Sequence, residues 1–264
     1  MLLAKEFAQI LNHADTLKYS KPADQIKKEI VRKYYIPNTG RFDNATQSAL
    51  LFALWYDLSP EKRKTFQVLM DEFKRHNDHV SSGIFGVKMM FDVLRDYDRN
   101  DEAYRIANQI DFPGWGYMMS QGATTLWETW KYPDNAPSQN HPMLGSIDEW
   151  FYRSLLGINP GSPGFEKIII KPQPAGDLLW AKGSYESIKG KISSDWRIEG
   201  NQFSIKISIP VNTKAEVWIP CLPDSTIKEN SVPVTSSINM KGYKEGYAIL
   251  EVGSGVYSFQ STWH

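Results

Sequence analysis

Apolar residues in the first part of the chain recur at helical spacing: Ile26, Ile30 and Tyr34; Ala49, Leu50, Ala53 and Leu54; Phe66, Leu69, Met70 and Phe73; Met90, Val93, Leu94 and Tyr97. Residues three or four apart share one face of a helix, so this half predicts a succession of amphipathic helices. Ser59-Pro60-Glu61-Lys62 predicts a helix start with Ser59 as N-cap and Pro60 in the first turn, and Asn44 is the expected cap of the helix carrying Leu50 and Leu51. Short polar connections imply antiparallel helical hairpins. Further along the period becomes two. Phe203, Ile205, Ile207 and Ile209 alternate with Ser204, Lys206 and Ser208, the pattern of a half-buried strand. Glu199-Gly200-Asn201-Gln202 joins that strand to one over 191–198 as a hairpin, and 215–219, 243–252 and 256–260 supply further strands. Three glycines and two prolines in 157–164 mark the change of period. The prediction is a mixed two-domain chain, helical over 1–158 and an antiparallel β-sandwich over 159–264.

Composition narrows the function classes. The 264 residues carry 30 bases and 30 acids, divided as 19 against 20 up to residue 158 and 11 against 10 beyond it. Neither half has the basic surplus of a phosphate-binding surface, so nucleic acid is not an expected partner. Mean hydropathy is −0.43, and no apolar run approaches the roughly 20 residues of a spanning helix, so no membrane insertion is expected. One cysteine, Cys221, excludes an intrachain disulfide and a multi-cysteine zinc site, and reads as a small packed thiol. His76 and His79 stand three apart without an evident third ligand, and neither a metal nor another cofactor is expected. The first residues, Met1-Leu2-Leu3-Ala4-Lys5-Glu6, show no export signal, which leaves the compartment open.

Aromatic residues crowd one window. Residues 111–152 hold nine of them, including four of the nine tryptophans: Trp115, Trp127, Trp130 and Trp150. Asp111, Glu128, Asp134, His141, Asp148 and Glu149 lie among them. Ring faces stack on the C–H faces of sugars while acids and imidazoles bind hydroxyls, so the combination suits carbohydrate; filling a helical core is the competing use of the same rings. Asp148 and Glu149 are adjacent, point about 100° apart on a helix and do not form a catalytic pair. Asp111 and Asp134 are fallback acids.

The most distinctive stretch is Gly122-Ala123-Thr124-Thr125-Leu126-Trp127-Glu128-Thr129-Trp130, preceded by Trp115-Gly116-Tyr117-Met118. With it come Thr39-Gly40, Asn44-Ala45-Thr46-Gln47, Ser82-Gly83-Ile84-Phe85-Gly86, Ser138-Gln139-Asn140-His141-Pro142-Met143-Leu144-Gly145-Ser146 and Glu149-Trp150-Phe151-Tyr152. Ile168-Ile169-Ile170-Lys171-Pro172, Ala181-Lys182-Gly183-Ser184-Tyr185 and Gly190-Lys191-Ile192 follow. In that order, and over nearly the whole chain, these resemble the C-terminal portion of bacterial α-L-rhamnosidases of glycoside hydrolase family 78.

The resemblance implies an (α/α)6 barrel, here an incomplete portion of about eight helices, followed by the β-sandwich. It implies inverting hydrolysis of terminal α-L-rhamnosides with Glu128 as general base, His141 on the bound sugar, and Trp115, Trp127 and Trp130 as pocket walls. The implied partners are a rhamnose-containing glycoside, oligosaccharide or polysaccharide and the missing N-terminal part of the same enzyme, and the implied compartment is periplasmic or extracellular. The family's acidic motif carrying the general acid has no counterpart in residues 1–110, so the isolated chain is expected to be inactive. A catalytically silent carbohydrate-binding fragment, another (α/α)6 glycosidase, and a truncated product that associates through an exposed apolar face are the alternatives.

Overall fold

The computed structural model describes residues 1–131, 138–234 and 238–263. It divides into two compact units, one of 1–93 with 106–144, the other of 94–105 with the chain from Gly145 onward.

The first unit is helical. Its helices are α1 (Leu2–Ile10), α2 (Thr16–Tyr34), α3 (Gln47–Trp55), α4 (Lys62–Arg75), most of α5 (Ile84–Asp96), the end of α6 (Asn100–Ala107) and α7 (Trp115–Ser120). Of the apolar positions read from the sequence, Leu50, Ala53, Leu69, Met70, Phe73, Met90 and Val93 are buried in the core, whereas Ile26 and Tyr34 of α2 are 50% and 40% exposed. Two expected caps are displaced. Asp43 and Ala45 sit in the left-handed region, at φ 49° and 56°, so the chain cannot enter α3 at Asn44; Thr46, in extended conformation, is the cap and accepts from the Ala49 amide at 3.3 Å. Likewise α4 begins at Lys62 rather than behind Ser59. The Ser59 hydroxyl accepts from the Glu61 amide at 3.1 Å and bonds the Thr65 hydroxyl at 2.7 Å, holding the turn that contains Pro60. A short hairpin of two two-residue strands, β1 (Tyr35–Ile36) and β2 (Arg41–Phe42), links α2 to α3.

In the second unit, the start of α6 and α8 (Ile147–Trp150), prolonged by one π turn over Phe151–Leu155, precede two sheets. The strands are β3 (Ile158–Pro160), β4 (Lys167–Ile170), β5 (Trp180–Ser187), β6 (Gly190–Glu199), β7 (Gln202–Ile209), β8 (Lys214–Pro220), β9 (Lys228–Glu229), β10 (Val232–Pro233), β11 (Asn239–Lys244), β12 (Tyr247–Val252) and β13 (Gly255–Thr262). One sheet has the order β10-β9-β13-β7-β6-β5, the other β11-β12-β8-β4-β3. Between them lies a core that includes Ile168, Ile192, Trp196, Phe203, Ile207, Val217, Leu250 and Phe259. The pairing is antiparallel except for β4 with β8, which run parallel because the chain visits the other sheet between them. The strand expected over 243–252 is a hairpin instead: Glu245 and Gly246, at φ 52° and 79°, turn β11 into β12. Cys221 is buried, and burial pushes its thiol above the usual range.

The glycine-rich junction contains β3 and has a steric reason for Gly157. Its φ is +74°, and a Cβ there would stand 2.2 Å from the Lys171 carbonyl carbon and the Pro172 nitrogen.

Candidate functional site

The segment holding Glu128 is neither helix nor strand, so tertiary anchors position it. It starts where α7 ends: the Gly122 and Ala123 amides donate to the carbonyls of Met119 and Met118, both at 3.0 Å, and Gly122 turns the chain at φ +81°. The segment then runs against 138–141. The His141 amide donates to the Leu126 carbonyl at 2.8 Å, the Glu128 amide to the Ser138 carbonyl at 3.2 Å, and the Thr125 hydroxyl to the Gln139 carbonyl. Two motifs separate in sequence are thereby joined, with half-buried Glu128 and half-buried His141 on adjoining stretches of backbone. Asp134, a fallback acid, lies outside the described residues.

The three tryptophans divide by environment. Trp115 and Trp127 are 7% and 5% exposed and belong to the core, whereas Trp130 is only partly buried. The Trp115 indole donates to the Leu144 carbonyl at 3.1 Å, its ring meets Trp130 edge-on at 5.0 Å between centroids, and it packs beside Phe91 at 5.8 Å. The Trp130 indole donates to the Ser82 carbonyl at 2.8 Å. Satisfied indole donors and edge-to-face packing make a stiff backing for the segment.

That backing depends on a residue the sequence did not single out as functional. Gln47, fully buried at the start of α3, donates from its amide nitrogen to the His79 carbonyl at 2.9 Å and accepts from the Ser81 amide at 2.7 Å. It clamps the loop whose next carbonyl, that of Ser82, holds Trp130. The signal available was its place at the end of the Asn44-Ala45-Thr46-Gln47 motif, heading a mostly apolar helix.

His141 has a defined ring. Its Nδ1 faces the Met143 amide at 3.3 Å, and since that amide has only a proton to give, Nδ1 accepts; the neutral ring carries its own proton on Nε2 and offers a donor there. His79 is arranged differently. Its Nδ1 faces the carbonyls of Asn77 and His76 at 2.9 and 3.1 Å, and its Nε2 faces Asp111 at 2.7 Å. Burial of the ring works against its charge, but the hydrogen bond to Asp111, the carbonyls and the carboxylate's charge together outweigh it, and its pKa is raised above 6.5. The bond from His79 holds Asp111 below the ordinary carboxylate value of 3.8. Stability from charging His79 is therefore complete below about pH 6.5 and lost as pH rises through the folded value. Stability from ionised Asp111 is present above about pH 3.8 and lost as pH falls through its lowered value. Asp111→Asn is expected to move the His79 titration to lower pH by NMR of its ring protons; an unchanged midpoint rejects the pairing. Asp111 is thus engaged by an imidazole. In the second unit Glu149 pairs with Arg153 at 2.8 Å and Asp148 is exposed.

Residues 1–155 match the family model described as the bacterial α-L-rhamnosidase six-hairpin glycosidase domain. The chain belongs to this family. Residues 157–232 match the bacterial α-L-rhamnosidase C-terminal domain. An α-L-rhamnosidase of Streptomyces avermitilis is 34% identical over 236 residues, 85% of this chain and 22% of that protein. One from Formosa agariphila is 30% identical over 83% of the chain and 25% of its own length. The chain therefore spans about a quarter of these rhamnosidases. Among solved structures, the α-L-rhamnosidase of Dictyoglumus thermophilum superposes with a TM-score of 0.87 at 35% identity, over 98% of this chain and 30% of its own. The Streptomyces avermitilis enzyme, crystallised with L-rhamnose, superposes with a TM-score of 0.89 at 32% identity, over 98% and 25%.

Proposed function

We propose that this chain furnishes the general base and part of the sugar pocket of an inverting α-L-rhamnosidase, with Glu128 as the base, His141 as a sugar contact, and the general acid carried outside residues 1–264. The observation that supports this most is the tie between 125–128 and 138–141, which brings a half-buried carboxylate and a half-buried imidazole onto one framework.

Inversion needs a carboxylic acid to protonate the leaving oxygen and a carboxylate to draw a proton from water on the opposite face, the two about 6.5–9.5 Å apart. Glu128 takes the second role. Its side chain accepts the water's proton as the new C–O bond forms, and the Nε2 proton of His141 is donated to a sugar oxygen. Trp130 forms one pocket wall, with Trp115 edge-on behind it and Trp127 in the buried backing of the segment.

The test is release of p-nitrophenol from p-nitrophenyl α-L-rhamnoside. The 264-residue chain alone is expected to give none. Joined to the upstream portion of the Streptomyces avermitilis relative, it is expected to hydrolyse the substrate and to release β-rhamnose first, seen by NMR. A first product of α configuration overturns inversion, and turnover by the chain alone places an acid inside 1–264.

A further inference from the structure

The second unit holds a recess of about 410 Å³, bounded by the turn before α6, the segment behind β4 and the β11–β12 turn. Asp98, Asp101, Gln173, Glu245, Tyr247 and Trp263 line it. Gln173 is 7% exposed; its backbone amide donates to the Ser154 carbonyl at 2.9 Å, and its backbone carbonyl accepts from the Asn100 side chain at 2.5 Å. Its side-chain oxygen Oε1, though buried, has no hydrogen-bond partner among the described residues. Asn100 cannot serve it, because that side chain also accepts from the Trp150 indole at 2.7 Å and is fully engaged by the two bonds. Buried polar atoms are nearly always paired, so an orphaned acceptor in the wall of a recess marks a place where the donor comes from outside.

The lining selects the chemistry of that donor. Gln173 Oε1 and the carboxylates of Asp98, Asp101 and Glu245 can only accept, so the ligand must be rich in donors. Bare metal ions do not fit: the described residues contain no group of three His, Cys, Asp or Glu side chains that could hold one. An organic cation meets a seat already taken, since the Lys171 ammonium lies 3.4 Å from Asp98 and 5.2 Å from the centre of the Tyr247 ring. Hydroxyl groups on a body with C–H faces remain, and aromatic rings suit such faces. Trp263 is fixed for that use: its amide donates to the Asn201 carbonyl at 2.8 Å and its ring lies 6.4 Å from that of Phe203. We propose that this recess binds one residue of a neutral sugar, whose hydroxyls donate to Gln173 Oε1 and the three carboxylates and whose C–H face meets Trp263. The second unit is then a carbohydrate-binding module in its own right, whatever the roles of Glu128 and His141.

The test uses the complete chain with 5-fluorotryptophan at its nine tryptophan positions, the Trp263 signal being assigned in the ¹⁹F spectrum by Trp263→Phe. L-rhamnose, D-galactose and D-glucose are titrated separately, with spermidine and calcium chloride as cationic probes. At least one sugar is expected to shift the Trp263 signal to saturation. Gln173→Met and the exposed Glu245→Ala are each expected to weaken that binding at least fivefold with thermal unfolding unchanged in the second, and His141→Ala to leave it intact. No saturable shift with any of the three sugars overturns the proposal, as does a shift that both recess variants leave undiminished or that His141→Ala abolishes. A response to spermidine or calcium alone, lost in Glu245→Ala, replaces the sugar by a cation and also overturns it. Sugar binding that follows Gln173 and Glu245, in a chain whose joined form releases no p-nitrophenol, keeps this site and rejects the proposed function.

Discussion

In the rhamnosidase assembled from this chain and the upstream portion of its relative, Glu128→Gln is expected to lower kcat on aryl α-L-rhamnosides by about 10²–10⁴-fold, the usual worth of a general base, with KM little changed. Gln has nearly the shape of Glu and leaves untouched the bond from the Glu128 amide to the Ser138 carbonyl, so thermal unfolding should be the same. Leaving groups separate the two carboxyl roles. Loss of a general acid is masked by a phenolate that departs without a proton, whereas loss of the base slows good and poor leaving groups alike. A uniform loss across dinitrophenyl and phenyl rhamnosides is therefore the expected signature. Activity within tenfold of the parent, or loss confined to poor leaving groups, would remove Glu128 from the base role.

The largest effect on stability is expected in the β domain, from Trp196→Ala. Trp196 is fully buried on β6, stacks on Phe203 at 5.8 Å, and donates from its indole to the Leu155 carbonyl at 2.7 Å. Truncating a buried Trp costs about 3–5 kcal/mol, and a stranded buried carbonyl about 1–3 more. At about 4–8 °C per kcal/mol for a domain near 100 residues, the transition should fall by some tens of degrees or vanish. Trp196→Phe keeps a ring against Phe203 and loses only the donor and part of the volume, so about a third of that loss is expected. Thermal unfolding by circular dichroism decides it; a loss under about 1 kcal/mol for the Ala variant would contradict the packing.

What could be read from the sequence follows from how local each feature is. The alternation of Phe203, Ile205, Ile207 and Ile209 is a property of one strand, and all four are buried as expected. The helix over 62–75 follows equally from its own Leu69, Met70 and Phe73. The turn at Glu245-Gly246 was passed over because a single glycine inside an alternating run reads as strand until the left-handed backbone at Glu245 is seen. The parallel β4–β8 pair depends on a crossover that no pattern within either strand records. At the site, family motifs picked out Glu128 and His141, but the tie between their segments runs largely through backbone amides and carbonyls, which every residue possesses. Trp115, Trp127 and Trp130 were alike on paper. Only their neighbours separate two core rings from one that is partly exposed.

The Gln47 clamp ties the segment around Glu128 to a helix far from it in the chain. That segment has no helix or ladder of its own, and one of its anchors, Trp130, is held 48 positions away by the Ser82 carbonyl, on a loop that Gln47 grips at 32 and 34 positions from itself. Closures over such separations cost more chain entropy than contacts within one helix, so each needs its own hydrogen bonds to hold it. A change at the head of α3 is thereby transmitted to the segment of the base by two hydrogen-bonded steps, without touching it.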